Sequence, residues 1–140
     1  MHKLLIFMLM FGTNSIHTEI IKSVELSYRT RGIQQFLHIT RDSVEVKIND
    51  KISHYKTTKT QWHNILKTFQ KVRLSSVSTL KRPSSKSSYD GAFMAQLMVV
   101  TNRKEYNSVS FDHDTPPAEL VKIIDAMKST LVGTESKDVF

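Results

Sequence analysis

Phe36-Leu37-His38-Ile39-Thr40-Arg41-Asp42-Ser43-Val44-Glu45-Val46-Lys47-Ile48 is the run whose reading decides the fold. Residues 36–40 are rich in apolar side chains, Arg41-Asp42 is turn chemistry, and Val44, Val46 and Ile48 alternate with Glu45 and Lys47. Alternation with period two sends one side of an extended chain into a core and the other into water. The two segments therefore pair as a hairpin. Working upstream, Val24, Leu26 and Tyr28 alternate with Glu25, Ser27 and Arg29 as a first strand that ends before Arg31-Gly32. Downstream, Asn49-Asp50 is a further turn signal, and residues 52–56 form a fourth strand with Ile52 and His54 on one face.

The pattern then changes period. Thr58-Lys59-Thr60-Gln61 fits a capping box, in which the Thr hydroxyl and the Gln side chain satisfy each other's exposed backbone donors. Trp62, Ile65, Leu66, Phe69 and Val72 follow at the spacing of one helical face, which is core. Residues 73–91 are the longest irregular segment, tethered by Val77 and Leu80. Residues 92–100 are nearly continuous apolar sequence and read as a central strand covered on both sides. A turn at 101–104 leads to a partner strand over 105–111. For the last helix, Asp114 as cap would serve two prolines that have no N–H. Thr115 as cap instead puts Pro116 in the first helical position and lets Ala118 donate. Leu120, Ile124, Met127 and Leu131 form its apolar face, broadened by Val121 and Ile123. The order ββββ-α-ββ-α predicts an α+β two-layer sandwich, a mainly antiparallel sheet with two helices on one face.

The chain opens with Met1-His2-Lys3 and an unbroken apolar run over residues 4–11, the charged start and hydrophobic middle of a secretory signal peptide. The run is shorter than the roughly 20 residues that span a bilayer, and Gly12-Thr13-Asn14-Ser15 supplies small residues before a cut after Ser15. A strand of the domain is the alternative reading of residues 4–11. The expected organisation is a signal peptide at 1–15, one domain at 16–133 and a flexible tail at 134–140, with no transmembrane anchor after cleavage. The chain has no cysteine. Stability must then come from a hydrophobic core rather than disulfides, and a lipidated cysteine anchor is excluded. The net charge of +7 over 140 residues favours anionic partners, or simply solubility.

Candidate chemistry is sparse. Asp112-His113-Asp114, between a strand and a helix, could share a proton or a metal; the blander expectation is that the two aspartates order the corner and His113 lies at the surface. Asp90, in the turn Tyr89-Asp90-Gly91, falls with Asp112 at the open end of one hairpin. That pair is either an acid/base or cation site or two loop anchors. No Gly-x-Ser-x-Gly elbow and no thiol nucleophile occur, and the four glycines are too dispersed to cradle a phosphate. No catalytic set, metal or cofactor is expected. Arg29, Arg31, Lys81, Arg82 and Lys86 gather around irregular segments where they could grip a phosphate, sulfate or carboxylate, or be solvated loop charges. Aromatic and basic residues do not interleave as in single-strand binders, so nucleic acid is not an expected partner.

The segments Ser27-Tyr28-Arg29-Thr30-Arg31-Gly32, Tyr89-Asp90-Gly91-Ala92 and Ser110-Phe111-Asp112-His113, followed by Pro116-Pro117, resemble those of small uncharacterised exported proteins of Bacteroidota bacteria. The resemblance implies a bacterial envelope location and an α+β fold; it implies no catalytic residues. The expected function is a non-catalytic periplasmic or secreted domain that binds a protein, glycan or other anionic envelope partner through the loops around Arg31, 81–89 and Asp112. The alternatives are a small hydrolase or metal-dependent enzyme using Asp90, Asp112 and His113, and an inhibitor of a periplasmic or foreign enzyme.

Overall fold

The computed structural model describes residues 18–140. The signal peptide expected at 1–15, and the alternative strand at 4–11, lie outside the described residues. Four strands follow one another as hairpins: β1 (Ile21–Thr30), β2 (Ile33–Thr40), β3 (Ser43–Ile48) and β4 (Lys51–Lys56). After helix α1 (Lys59–Thr68) and the long connection come β5 (Met94–Thr101), β6 (Glu105–Asn107), β7 (Phe111–Asp112) and helix α2 (Val121–Ser129). The sheet order is β4-β3-β2-β1-β5-β6, with β7 also paired to β5, and every pairing is antiparallel. This is the expected α+β sandwich with both helices on one face.

The core lies between sheet and helices. Val24, Leu26, Leu37, Ile39, Val44, Val46, Leu97 and Val99 point inward at alternate positions and meet Trp62, Ile65, Phe69, Ile123, Ile124 and Met127. The capping box is formed as read. The Thr58 N–H donates to Gln61 Oε1 at 2.9 Å, and the Gln61 N–H to Thr58 Oγ1 at 3.1 Å.

Several expectations are corrected. β5 is buried on one face only, with Met94, Gln96 and Met98 on the uncovered face, because none of the described residues forms a layer there. The partner strand expected over 105–111 is two strands. Pairing runs Met98 with Asn107 but Ala95 with Phe111, a one-residue slip that makes a bulge at 108–110. Within the bulge, Ser108 donates its N–H to Leu97 O at 2.8 Å and accepts the Leu97 N–H on Oγ at 2.9 Å. Val109 donates to Val77 O at 2.9 Å, tying the bulge to the irregular segment.

The last helix does not start at Thr115. Pro117 is extended at φ −49° and ψ 140°, a short 3-10 turn spans Ala118–Leu120, and α2 follows. A proline drives the residue before it out of the α region, so Pro116 cannot be the first helical residue when Pro117 follows it. Val121 is 38% exposed rather than part of the apolar face. Residues 134–140 also differ from the tail expected. Ser136 is buried with its Oγ 2.8 Å from the Tyr55 hydroxyl, and the Phe140 ring centre lies 5.0 Å from that of Tyr28. No helix among the described residues is long and apolar enough to cross a membrane.

Candidate functional site

Antiparallel register brings the sequence candidates to one end of the sheet. Arg29 of β1 pairs with Met94 of β5, and Met94 pairs with Asp112 of β7. The turn Arg31-Gly32, the loop 81–91 and the corner at Asp112-His113-Asp114 therefore meet there. The β1–β2 turn is possible because Gly32 adopts φ +75°, a left-handed conformation that costs a side-chain-bearing residue.

Asp112 is the anchor of this end. It is fully buried and accepts the Lys86 N–H at 2.7 Å and the Ser87 N–H at 2.9 Å. These are the first amides of the 3-10 turn Lys86–Tyr89, donors that the turn cannot satisfy internally. Arg82 adds a cation, its Nη2 being 3.8 Å from the carboxylate. Burial alone would raise the Asp112 pKa, but hydrogen bonds from Ser84, Ser87 and the two amides outweigh it and hold the carboxyl well below the usual range. Asp114 reaches the same segment from outside and pairs with the Lys86 ammonium, which lowers its pKa.

The three acid/base candidates thus each have a different partner. Asp90, left-handed at φ 58° as it closes the 3-10 turn, lies 3.4 Å from the Arg31 guanidinium in an exposed ion pair. Asp112 spends its lone pairs on the loop. His113 is half-buried rather than on the surface, because its ring packs edge-on against Tyr28 and Phe93 at 5.4 and 5.2 Å. Its Nδ1 accepts the Phe93 N–H at 3.1 Å, leaving Nε2 to carry the ring proton. The aspartates Asp90 and Asp112 come to the same end of the hairpin as expected, but one is an exposed pair and the other a buried staple. Among the described residues no group of three or more His, Asp or Glu side chains is placed to hold a metal ion.

Of the basic candidates, Arg31, Arg82 and Lys86 are paired with Asp90, Asp112 and Asp114. Lys81 is exposed on the loop. Arg29 sits over the Phe36 ring at 5.4 Å on the uncovered face. Around Arg29, Arg31, Ser87, Asp90 and Met94 opens a cleft of about 340 Å³. Next in sequence to Asp90 of this cleft is Tyr89, 83% exposed on the loop that Asp112 holds down.

One arrangement escaped the sequence reading. On the uncovered face His54, Glu45, His38 and Glu25 stand in a row across β4, β3, β2 and β1. The Nδ1 of His38 is 3.4 Å from Glu25, and that of His54 is 3.6 Å from Glu45. Each is one polar position in an alternating strand, so only the register could reveal the row. Comparison with protein families, curated proteins and solved structures finds no match to this chain.

Proposed function

We propose that this chain is a non-catalytic exported domain, periplasmic or secreted in a bacterium, that binds an anionic protein or glycan at the loop end of its sheet. The observation that carries the reading is Tyr89, 83% exposed and next in sequence to Asp90 of the Arg29 cleft, at the end of a 3-10 turn whose first amides are tied to a buried carboxylate. Tyrosine and arginine are the side chains that most often anchor interfaces, and a loop ordered in advance loses little entropy on binding. Asp112 and Asp114 are engaged in holding the loop, Asp90 pairs with Arg31 and His113 accepts the Phe93 N–H, which suits recognition better than turnover. Export rests on the leader-like residues 1–15.

Binding of the mature chain to immobilised uronate-bearing glycan, sulfated glycan and polyglutamate, against a neutral glucan, tests the reading. Tyr89→Ala and Arg29→Ala should each weaken the anionic interaction by roughly tenfold, about 1.4 kcal/mol, with the unfolding midpoint unchanged. Equal binding to the neutral glucan, or indifference to both substitutions, would overturn it. Expression with the full N-terminus should yield a mass beginning near Ile16 in the periplasm or medium; an uncut cytoplasmic chain would refute export.

A further inference from the structure

A second concave site lies on the helical layer, away from the loop end. Between α1 and the start of α2 runs a groove of about 520 Å³, within the roughly 300–1,000 Å³ of small-molecule pockets. Its lining is mainly carbon, contributed by Val72, Ala126 and the stems of its polar residues. Three exposed lysines, Lys67 of α1, Lys71 at the end of the 3-10 turn Phe69–Lys71 that follows it, and Lys122 of α2, stand on its rim against a single acid, Glu119. Among the described residues none of the three is in an ion pair. Lys67 and Lys71 line the same groove, so their like charges repel when no counter-ion lies between them.

We propose that this groove binds a single-chain fatty acid, its carboxylate among Lys67, Lys71 and Lys122 and its acyl chain along the floor at Val72 and Ala126. The charge complementarity selects an anion, and the carbon lining selects an apolar body. Lysine stems lying over an acyl chain would add apolar cover while their ammonium groups stay in water. The dimensions select against a protein. Helices of 10 and 9 residues extend only about 15 Å at 1.5 Å per residue and side by side are about 20 Å across, a face of about 300 Å², short of the roughly 800 Å² per partner of a standard interface. The groove shares no lining residue with the Arg29 cleft, so this inference does not depend on the loop-end reading.

Calorimetric titration of the mature chain with dodecanoate, with dodecanol as the uncharged control, tests the site. Saturable one-to-one binding of dodecanoate is expected, roughly tenfold weaker in the triple variant Lys67→Gln, Lys71→Gln, Lys122→Gln, a difference of about 1.4 kcal/mol. Ala126→Leu, which fills the floor and leaves all three charges, should abolish binding. Both proteins are first shown to unfold at the wild-type urea midpoint, and Lys51→Gln, at an exposed lysine of β4 outside the groove, serves as a charge-loss control that should bind as wild type. Absence of saturable binding, or binding that survives both groove variants, overturns the proposal. So does equal affinity for dodecanol, or a wild-type dimer in sedimentation that Ala126→Leu makes monomeric, since the occupant would then be a second copy.

Discussion

Removing the Asp112 carboxylate should unfasten the loop end before it unfolds the domain. In Asp112→Ala the Lys86 and Ser87 amides, now 2.7 and 2.9 Å from a fully buried acceptor, lose their partner. A buried donor left unpaired costs about 1–3 kcal/mol, so two would cost about 2–6 kcal/mol if the loop stayed in place. The loop need not stay. Lys86 is exposed, and lifting the 3-10 turn returns both amides to water at the expense of the contacts around Arg82 and Ser87. The expected global loss is therefore at the low end, about 2–3 kcal/mol. Urea unfolding followed by fluorescence of Trp62 gives the global term, and hydrogen exchange of the Lys86 and Ser87 amides gives the local one. Exchange there should speed by about tenfold or more, while β1 and β5 amides change only with the global loss. A stability within about 0.5 kcal/mol of wild type, the usual scatter for surface substitutions, with both amides still protected, would refute the staple.

The same group sets an acid limit: its folded pKa is depressed, so its contribution is complete above the unfolded carboxyl value near 4 and declines as pH falls below it toward the folded value. Acid titration of wild type against Asp112→Asn should show a steeper loss of stability in the wild type, the variant keeping only the part due to other lowered carboxyls such as Asp114. His38 acts in the opposite sense. The Glu25 hydrogen bond raises its pKa against the effect of burial, with Glu25 and Glu45 facing it from the flanking strands. Its stabilisation is complete below the unfolded value of about 6.5 and fades as pH rises through the folded one. Urea midpoints at about pH 5.5 and about pH 8.5 should differ less in His38→Gln than in wild type, and an unchanged difference would remove His38 as the cause. Gly32→Ala should cost about 1–2 kcal/mol through its positive φ alone, since none of the described residues lies within 4 Å of the added methyl. A urea midpoint equal to wild type would show that the β1–β2 turn relaxes.

Much of the loop end was visible in the chain as residue types, and little of it as roles. Asp90, Asp112, His113 and the basic residues were singled out together, and the register does gather them. Their partners are another matter. That Asp112 caps a turn beginning at Lys86, 26 positions earlier, depends on where β7 docks on β5. His113 looked like a surface residue because an isolated histidine beside two aspartates carries no apolar pattern. Its aromatic surroundings, Tyr28 and Phe93, come from β1 and from the residue that precedes β5. The lysine-rimmed groove was likewise present only as scattered charges on two separate helical faces.

Determined by sequence alone were the elements whose causes are local. The alternation of Val44, Val46 and Ile48 makes a half-buried strand wherever the sheet ends up, and Thr58 with Gln61 closes a helix start within four residues. Even the late start of α2 was encoded locally, in the effect of Pro117 on Pro116. The tertiary structure decided the rest: β1 between β2 and β5, the one-residue bulge at 108–110, the uncovered face of β5 and the docking of Ser136 and Phe140. Backbone hydrogen bonds between strands are nearly indifferent to side-chain identity, so strand order and register are chosen by which arrangement buries the apolar faces together. That sum over distant contacts has no period along the chain.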